Sequence, residues 1–336
     1  MASATLKRSE INSIEKIVTS VYPPFALLAG MQLDLFTALK EGPLNAEQIA
    51  AKIGVGSNKL KVLLYALVVS GFLEVESELF RNTDSVYQFL VKGSASYVGD
   101  IHELLSTMWN AALKTADSIQ KGVPQAKLNY SEMSQDELRR FFLGEHPYAV
   151  EYGRDLVKRY DFSSYTTLLD VGGGSGGLAI AVTEACPHIK ATIVDLPKIT
   201  PVTQHYIDEA GAGDRVKVVT ADAVRDPLSG SYDVAVMSAF IQVLSPDDAC
   251  CAIKNVSKVI NPGGEIYIRG YGIIDDSRTS PQKLVGFNLV FINVYDEGQA
   301  YTEQEHKDWL EEAGFDSFKR TILEDGSSII TARKIK

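Results

Sequence analysis

This chain of 336 residues has few cysteines and no long hydrophobic run. Its three cysteines, Cys186, Cys250 and Cys251, lack metal-ligand spacing, and an odd number with an adjacent pair argues against a disulfide framework. We therefore expect a reducing, cytoplasmic setting and no metal site. No apolar stretch reaches the roughly 18 residues that span a membrane, and the polar N-terminus is unlike a signal peptide. We expect no membrane partner.

The chain also has fewer basic than acidic residues. The chain has 33 Lys and Arg against 43 Asp and Glu, which gives a net charge of −10 and an isoelectric point of about 5.1. Because phosphate neutralisation supplies most of the affinity for nucleic acid, this composition argues against a nucleic-acid partner. The length and the 45% hydrophobic content are typical of about two globular domains.

The most informative segment that is present runs from Leu168 to Gly177, where an apolar strand breaks into glycines just before a helix. Glycines there permit a tight turn and let a ligand approach the backbone. A second apolar strand, from Ala191 to Val194, ends in Asp195, about 25 residues after Asp170. This layout predicts a βαβ unit that binds a nucleoside and holds its ribose through a carboxylate.

The glycine spacing distinguishes between nucleoside cofactors. A dinucleotide fingerprint is G-x-G-x-x-G and carries a pyrophosphate. Here the pattern is D-x-G-x-G-x-G, and Asp170 on the strand suits a cationic ligand and opposes a pyrophosphate. The segment resembles motif I of the class I S-adenosylmethionine (SAM) methyltransferases, which implies SAM as the cofactor.

Strands and helices alternate from Tyr165 to the end of the chain. Further strands are predicted at Val216–Thr220, 234–237 and 266–269, with a terminal hairpin at Ile322 and 328–331. The fold class is therefore α/β, a doubly wound sheet that is mainly parallel with an antiparallel end. Ligands bind such sheets beyond the carboxyl ends of the strands, where polar residues cluster here: Asp170, Asp195, Asp222 and Ser238.

The N-terminal part predicts a winged helix over residues 44–83, with Asn45 and Ser57 as the N-caps of its two helices. The second helix is mostly apolar after its first turn, which is typical of a core or an interface and not of a DNA reader. Residues 11–39 are also rich in apolar side chains. That is more apolar surface than one small domain buries alone, so we expect a homodimer through this region.

The whole chain resembles one family, the SAM-dependent O-methyltransferases of plant phenolic and bacterial polyketide or pigment pathways. The motifs that carry the resemblance are Asp170-Val-Gly-Gly-Gly-Ser-Gly176, Asp195-Leu-Pro197, Ala221-Asp222, Asn261-Pro-Gly-Gly264 and Tyr301-Thr-Glu-Gln-Glu305, leading into Glu312-Ala-Gly-Phe315. It implies a class I Rossmann-like fold with three parts: a winged-helix dimerisation domain at 1–98, linking helices at 99–160 that contribute to the acceptor pocket, and a SAM-binding domain at 161–336. It also implies cofactor contacts from Asp170, Gly172, Gly174, Gly176, Asp195, Leu196, Asp222, Ala223 and Ser238.

The family's acid–base residues are missing from this sequence. Alignment without gaps places the usual histidine base at Gln242 and the two bracing glutamates at Gly270 and Ala300. None of these can take a proton. One explanation is that the acceptor needs no deprotonation, as for the thioether of 4-methylthio-2-hydroxybutyrate, which is methylated to a sulfonium in dimethylsulfoniopropionate synthesis. The other is that the base has moved to His146 or a nearby tyrosine such as Tyr148.

On this basis we modestly favour S-methylation by proximity over O-methylation with a relocated base, and a SAM-binding regulatory winged-helix protein is the third alternative. The catalytic candidates are His146, Tyr148 and Gln242. Side chains compatible with binding the acceptor are Trp109, Phe142, Tyr152, Asn288, Phe291 and Tyr295. Asn288 and Arg269 are also candidates for contacting a carboxylate on the acceptor. These residues do not specify the acceptor itself.

Overall fold

The computed structural model describes residues 8–335, with side chains from Asn12 onward. It divides into two compact units between Ser106 and Thr107. The three-part division at residues 98 and 160 stays a prediction. None of the helices between residues 8 and 335 has the length and apolarity that crossing a membrane requires.

The N-terminal unit is helical apart from one hairpin. Its elements are α1 (Arg8–Thr19), α2 (Tyr22–Gln32), α3 (Leu35–Ala38), α4 (Ala46–Ile53), α5 (Ser57–Val69), β1 (Leu73–Glu76), β2 (Leu79–Asn82) and α6 (Asp84–Leu90). β1 and β2 pair antiparallel directly after α4 and α5. This is the helix, turn, helix and wing that the sequence predicts.

The two predicted helix caps have different outcomes. The Asn45 side chain accepts a hydrogen bond from the Gln48 amide, and the Gln48 side chain accepts one from the Asn45 amide, each at 2.9 Å. This reciprocal capping box confirms Asn45 as an N-cap. Ser57 was wrong as an N-cap: it is the first residue inside α5, and Gly56 is the cap residue, without a side-chain bond. The extended backbone of Gly56 starts the helix one residue earlier than the hydroxyl suggested.

Apolar side chains cover two sides of this unit. Leu35, Phe36, Leu64 and others form a buried core, which the helices enclose. On α5, however, Val69 remains 86% exposed within the chain. Large apolar side chains on α1, α2 and the residues between them are also exposed: Ile14, Ile17, Val18, Val21, Tyr22 and Phe25. Exposed apolar side chains in this number are typical of an interaction surface.

The second unit alternates helices and strands. Its elements, together with the helix in which the division falls, are α7 (His102–Ala112), α8 (Thr115–Lys121), α9 (Gln135–Arg159), β3 (Thr167–Val171), α10 (Gly177–Ala185), β4 (Lys190–Asp195), α11 (Thr200–Glu209), β5 (Val216–Thr220), β6 (Tyr232–Ser238), α12 (Pro246–Ser257), β7 (Ile260–Gly270), β8 (Ile273–Ile274), α13 (Gln282–Val294), β9 (Tyr301–Thr302), α14 (Glu303–Glu312), β10 (Phe315–Ile322) and β11 (Ser328–Lys334). Short 3-10 turns lie at Gly99–Ile101, in the N-terminal unit, and at Ile241–Val243, in the second unit.

Seven strands form one sheet in the order β10-β11-β7-β6-β3-β4-β5. The strands from β7 to β5 are parallel, and β10 and β11 form an antiparallel end. The predicted doubly wound fold is therefore confirmed. Successive connections leave β3 towards β5 and then return to β6 on its other side. This reversal opens a crevice at the carboxyl ends of β3 and β6, where ligands bind in such sheets.

Alternating side chains of the strands bury both faces of the sheet. On β7, Ile266 and Ile268 enter one core, whereas Tyr267 enters the other core with Leu168 and Val234. Period-two alternation explains this division. Because both faces are packed, the strand ends at the crevice are held rigidly.

Candidate active site

The loop that follows β3 has a backbone that favours glycine. Gly172, Gly174 and Gly176 have φ of +66°, +56° and +76°, a region that side chains rarely adopt. Space is also lacking, since a Cβ on Gly174 would lie 2.7 Å from a ring carbon of Phe142. α10 begins at Gly177, directly after the loop. The loop therefore presents bare backbone next to a helix N-terminus.

Asp195, at the end of β4, is bonded to this loop. One carboxylate oxygen accepts a hydrogen bond from the Gly174 amide at 2.8 Å, and the other accepts one from the Leu196 amide at 2.7 Å. Burial raises the pKa of Asp195 to about 6, although both amides act in the opposite direction. The carboxylate thus joins the ends of two neighbouring parallel strands.

Asp170 is a second buried carboxyl beside the first. It is 1% exposed, and neither oxygen accepts a hydrogen bond of normal geometry. Burial and then the charge of Asp195 raise the pKa of Asp170 to about 7, and the amide of Ala179 opposes them weakly. Two buried carboxylates without a counter-charge are unfavourable, so this pocket fits a cationic ligand such as SAM.

The remaining predicted cofactor residues lie at other strand ends. Asp222 follows β5, and its carboxylate accepts a hydrogen bond from the Val224 amide at 2.9 Å. Ala223 is buried, and Ser238 is the last residue of β6. All of them lie at the carboxyl edge of the sheet, as the sequence predicts. Their contacts with a cofactor stay a prediction.

Gln242 and Gly270, two of the three positions where the family's acid–base residues are missing, lie together in the structure. Gln242 is 7% exposed, and its side-chain oxygen lies 3.1 Å from where a Cβ on Gly270 would be. A Cβ on Gly272 would clash with the Cβ of Gln242. Ala300 is buried, and its amide donates to the Asn288 side chain at 2.8 Å. The glutamine therefore fills the space beside the two glycines, and no acid or histidine replaces the absent residues at these positions.

His146 contacts the glycine loop. Its Nδ1 lies 3.0 Å from the Ser175 hydroxyl, and its ring stacks on Tyr206 at a centroid distance of 4.0 Å. Burial lowers the pKa of His146 and raises that of Tyr148. The imidazole is thus neutral at pH 7 and bonded on the cofactor side. The catalytic roles of His146, Tyr148 and Gln242 stay predictions.

Helix α13 and its C-cap residue Tyr295 form an aromatic wall that includes two predicted acceptor residues. Phe287 lies edge-on to Phe291 at 5.2 Å, and Phe291 lies 5.9 Å from Tyr295. The Tyr295 hydroxyl is 3.5 Å from the Tyr130 hydroxyl. Because the α13 residues are spaced by four, they share one face of the helix.

The other predicted acceptor residues are more dispersed. Phe142 is buried with Leu138 and lies over Gly174, on the cofactor side. Trp109 is half-buried on α7, and Asn288 is bonded to the backbone of residue 300. Tyr152 stacks on the guanidinium of Arg269. Whether any of them binds the acceptor stays a prediction.

Glu145 is the titratable residue of this region that the sequence analysis missed. Its side chain is only partly accessible, and burial raises its pKa to about 7. Burial also raises the pKa of the Tyr130 hydroxyl well above its usual value and that of Tyr295 to about 12, and the charge of Glu145 adds to both shifts. The carboxyl therefore lies within electrostatic reach of the tyrosine pair. Its only sequence signal is its spacing of three and four residues from Phe142 and Phe141 on α9.

Known proteins match the chain over most of its length. Residues 116–316, more than half of the chain, match the O-methyltransferase domain family, and residues 16–92 match the O-methyltransferase dimerisation domain. The tetracenomycin polyketide synthesis 8-O-methyl transferase TcmO of Streptomyces glaucescens is 29% identical over 328 residues, which cover 96% of each chain. The 3-hydroxy-5-methyl-1-naphthoate 3-O-methyltransferase of Streptomyces sahachiroi is 27% identical over 307 residues, covering 89% of this chain and 87% of that protein.

Solved structures extend the similarity to the complete fold. Human N-acetylserotonin methyltransferase in complex with SAM matches with a TM-score of 0.88 and 21% identity, covering 100% of both chains. PigF with S-adenosylhomocysteine (SAH) matches with a TM-score of 0.82 and 21% identity, covering 98% of this chain and 99% of that one. At this identity the similarity concerns the fold alone.

Proposed function

The chain belongs to the O-methyltransferase family and is a SAM-dependent methyltransferase of the small-molecule type, and we propose that it methylates a hydroxyl oxygen with Glu145 as the proton acceptor. The observation that carries this proposal is the electrostatic coupling of Glu145, a partly accessible carboxyl with a raised pKa, to the hydroxyls of Tyr130 and Tyr295. Glu145 is therefore a titratable group within electrostatic reach of the aromatic wall, whereas Gln242, Gly270 and Ala300 supply none.

The residues at the ends of β3 and β4 would hold the cofactor. We assign the ribose hydroxyls to Asp195, the adenine end to Asp222, and the methionine end to the glycine loop and Asp170. When bound, SAM supplies an electrophilic methyl group on a positively charged sulfur. The raised pKa values of Asp170 and Asp195 support this assignment, because a nearby positive charge relieves the cost of ionising two buried carboxyls.

A neutral hydroxyl must lose its proton as its oxygen takes the methyl group. A base is most effective when its pKa is close to the working pH, and the pKa of Glu145, about 7, meets that condition. His146 is less suited, because its Nδ1 is already 3.0 Å from the Ser175 hydroxyl on the cofactor side. The tyrosines are less suited as well, since burial raises their pKa values.

A flat hydroxylated ring is the acceptor class that the wall of α13 favours. Phe287 and Phe291 share one face of α13, and the ring of Tyr295, the C-cap residue, lies 5.9 Å from that of Phe291. The names of the two Streptomyces relatives, which concern a polyketide and a hydroxynaphthoate, support the same class. Aromatic side chains bind such rings through apolar burial with preferred ring geometry.

The test is a screen of phenols, thiols, thioethers and hydroxy acids with SAM, read out as SAH, followed by the variant Glu145→Gln. We expect a phenol or other hydroxyl acceptor to react, and the variant to lose about 10²–10⁴-fold in kcat. The wild-type rate should rise with pH and level off above about pH 7, the pKa of Glu145. Glu151→Gln, at an exposed position of the same helix, is the matched control and should retain full activity. Unchanged kcat and pH profile in Glu145→Gln would refute the assignment.

S-methylation is the second candidate, and the three untitratable residues at 242, 270 and 300 favour it. A thioether has no proton to lose, so a well-oriented complex suffices. None of the relatives described above is named for this reaction. If it operates, 4-methylthio-2-hydroxybutyrate should react at a rate that does not depend on pH above the ionisation of its carboxylate, and Glu145→Gln should remain active. The regulatory alternative is not carried further, since the chain belongs to a family of enzymes.

We also propose a homodimer that forms through the N-terminal unit. The exposed apolar side chains of α1 and α5, among them Ile17 and Val69, support it, as does the match to a dimerisation domain. Light scattering should give twice the mass of the chain, and Ile17→Asp should yield monomers. A cytoplasmic location, supported by three free cysteines, would be checked by cell fractionation.

A further inference from the structure

A buried arginine without a counter-ion lies at the carboxyl end of β7. Arg269 is 4% exposed, and it is paired in register with Ser238, the last residue of β6. Its backbone oxygen accepts a hydrogen bond from the Ala239 amide at 2.7 Å, which fixes its position. The residue therefore lies at the edge of the sheet where ligands bind.

The surroundings of the guanidinium do not neutralise its charge. Its carbon lies 3.4 Å from the ring centroid of Tyr152, and its Nε and Nη1 are buried without a hydrogen-bond partner. It has no ion pair within residues 8–335. The charge of Arg269 helps to lower the pKa of the Asp325 carboxyl. The hydrogen bonds of that carboxylate, however, come from Ser327 and Tyr271 and not from Arg269.

A buried guanidinium without an ion pair is expected to bind an anion. A guanidinium stays charged at any working pH, so it cannot escape burial by losing a proton. An uncompensated buried charge is strongly unfavourable, and one tyrosine ring offsets it only in part. Carboxylates match the planar fork of arginine with two parallel hydrogen bonds.

Side-chain contacts connect Arg269 to the aromatic residues of the proposed acceptor site. Tyr271, whose hydroxyl accepts a hydrogen bond from Tyr152 at 3.4 Å, lies 5.6 Å from the Phe287 ring, where the wall of α13 begins. The wall ends at Tyr295, near Glu145. Tyr152 itself follows Glu145 by seven residues, two turns of α9, and so lies on the same helix face.

We propose that Arg269, together with the hydroxyls of Tyr152 and Tyr271, forms a subsite for a carboxylate group of the acceptor. The inference rests on the proposed function only in taking this pocket as the acceptor site. It holds whether the methyl group goes to oxygen or to sulfur. The acceptor would be a small acid whose reactive atom lies along the aromatic wall, away from its carboxylate.

The test measures binding to the SAH-saturated protein, so it needs no methyl transfer. The probes are 4-hydroxybenzoate and 4-methylthio-2-hydroxybutyrate, each compared with its uncharged carboxamide by calorimetry. We expect at least one acid to bind 10-fold or more tightly than its amide. Arg269→Gln should abolish that preference and leave SAH affinity unchanged, whereas Arg269→Lys should retain part of it. Arg215→Gln is the control, since Arg215 precedes β5 at the opposite edge of the sheet and is paired with Asp214.

Three results would overturn the subsite. The acids and amides could bind the wild type equally, the preference could persist in Arg269→Gln, or SAH affinity alone could fall, which would assign the guanidinium to the cofactor. If Arg269→Gln does not fold, loss of the preference in Tyr152→Phe with Tyr271→Phe decides the question instead. Failure of the proposed function would look different, because no acceptor would yield SAH while the acid preference remained.

Discussion

The cofactor end and the acceptor end of the crevice are built in different ways. At the cofactor end, the glycine loop and the carboxylates of Asp170 and Asp195 come from two adjacent parallel strands and the turn between β3 and α10. At the acceptor end, the charge of Glu145 on α9 acts on Tyr295, which follows α13, and the Gln242 side chain lies beside Gly270. The first end is nearly continuous in sequence, and the second joins segments more than a hundred residues apart.

This difference means that the residue types of the glycine loop are constrained, whereas those of the acceptor end are freer to vary. The loop needs positive φ and an exposed backbone at defined positions, so its sequence hardly tolerates change. The acceptor end needs only a basic group near the reactive atom of the acceptor and side chains that fit the acceptor, and different elements of the fold can supply both. In our assignment, Glu145 on α9 supplies the base that positions 242, 270 and 300 lack.

The largest effect that tests this contrast is expected for Asp195→Asn. The substitution removes the charge that accepts the amide bonds of Gly174 and Leu196 and, in our assignment, the ribose bonds. Charge-assisted hydrogen bonds contribute about 1.5–3 kcal/mol, so SAH affinity should fall by about 100-fold in calorimetry. Asp214→Asn, at an exposed carboxylate before β5, is the control. An affinity within a factor of three of wild type would place the ribose elsewhere.

Next in size is the effect of Gly174→Ala on folding. The new Cβ would meet the Phe142 ring at 2.7 Å in a backbone with φ of +56°, so unfolding free energy should fall by about 1–3 kcal/mol. Gly286→Ala on α13 is the matched control, because nothing lies within 4 Å of its Cβ position. It should stabilise the chain by up to about 1 kcal/mol in urea unfolding. Equal effects of both variants would mean that the loop is less constrained than its geometry indicates.

A smaller effect concerns the pH dependence of stability through Asp170. Burial raises the pKa of Asp170 to about 7, above its value of about 3.9 in an unfolded chain. The folded state thus keeps a proton that the unfolded state has lost, and stability without ligand should fall as pH rises from about 4 to 7. Asp170→Asn should reduce this fall by about 1–2 kcal/mol, measured by urea unfolding at pH 5 and pH 8. The same slope in variant and wild type would contradict a buried, protonated Asp170.

The sequence predicts the cofactor end better than the acceptor end, because only the cofactor end is formed by one nearly continuous segment. Spacing alone identifies the turn at 172–176, because the positive φ values of Gly172, Gly174 and Gly176 strongly favour glycine. The sequence also identifies Asn45 as an N-cap, and the reciprocal hydrogen bonds with Gln48 confirm it. Ser57 misleads because Gly56 next to it supplies the extended cap residue.

At the acceptor end no local pattern reveals a role. Glu145 is one polar residue of a long amphipathic helix, and its raised pKa arises from burial that only the packed fold provides. The sequence offers Arg269 as one candidate partner of a carboxylate, but its lack of a partner within the protein is a property of the fold. The sequence could indicate that the usual base is absent but not what replaces it.

The smallest effect is expected for His146→Gln, the residue that sequence reasoning favoured as a relocated base. Glutamine can keep a hydrogen bond to Ser175 and loses only the stacking on Tyr206, so kcat and SAH affinity should change by less than about fivefold, or 1 kcal/mol. The pH profile should keep its rise towards pH 7, because that rise belongs to Glu145 in our assignment. If the rise instead disappears in His146→Gln and persists in Glu145→Gln, the base lies on the face of α9 next to the cofactor. The two ends of the crevice would then share one local segment, and the contrast between them would no longer hold.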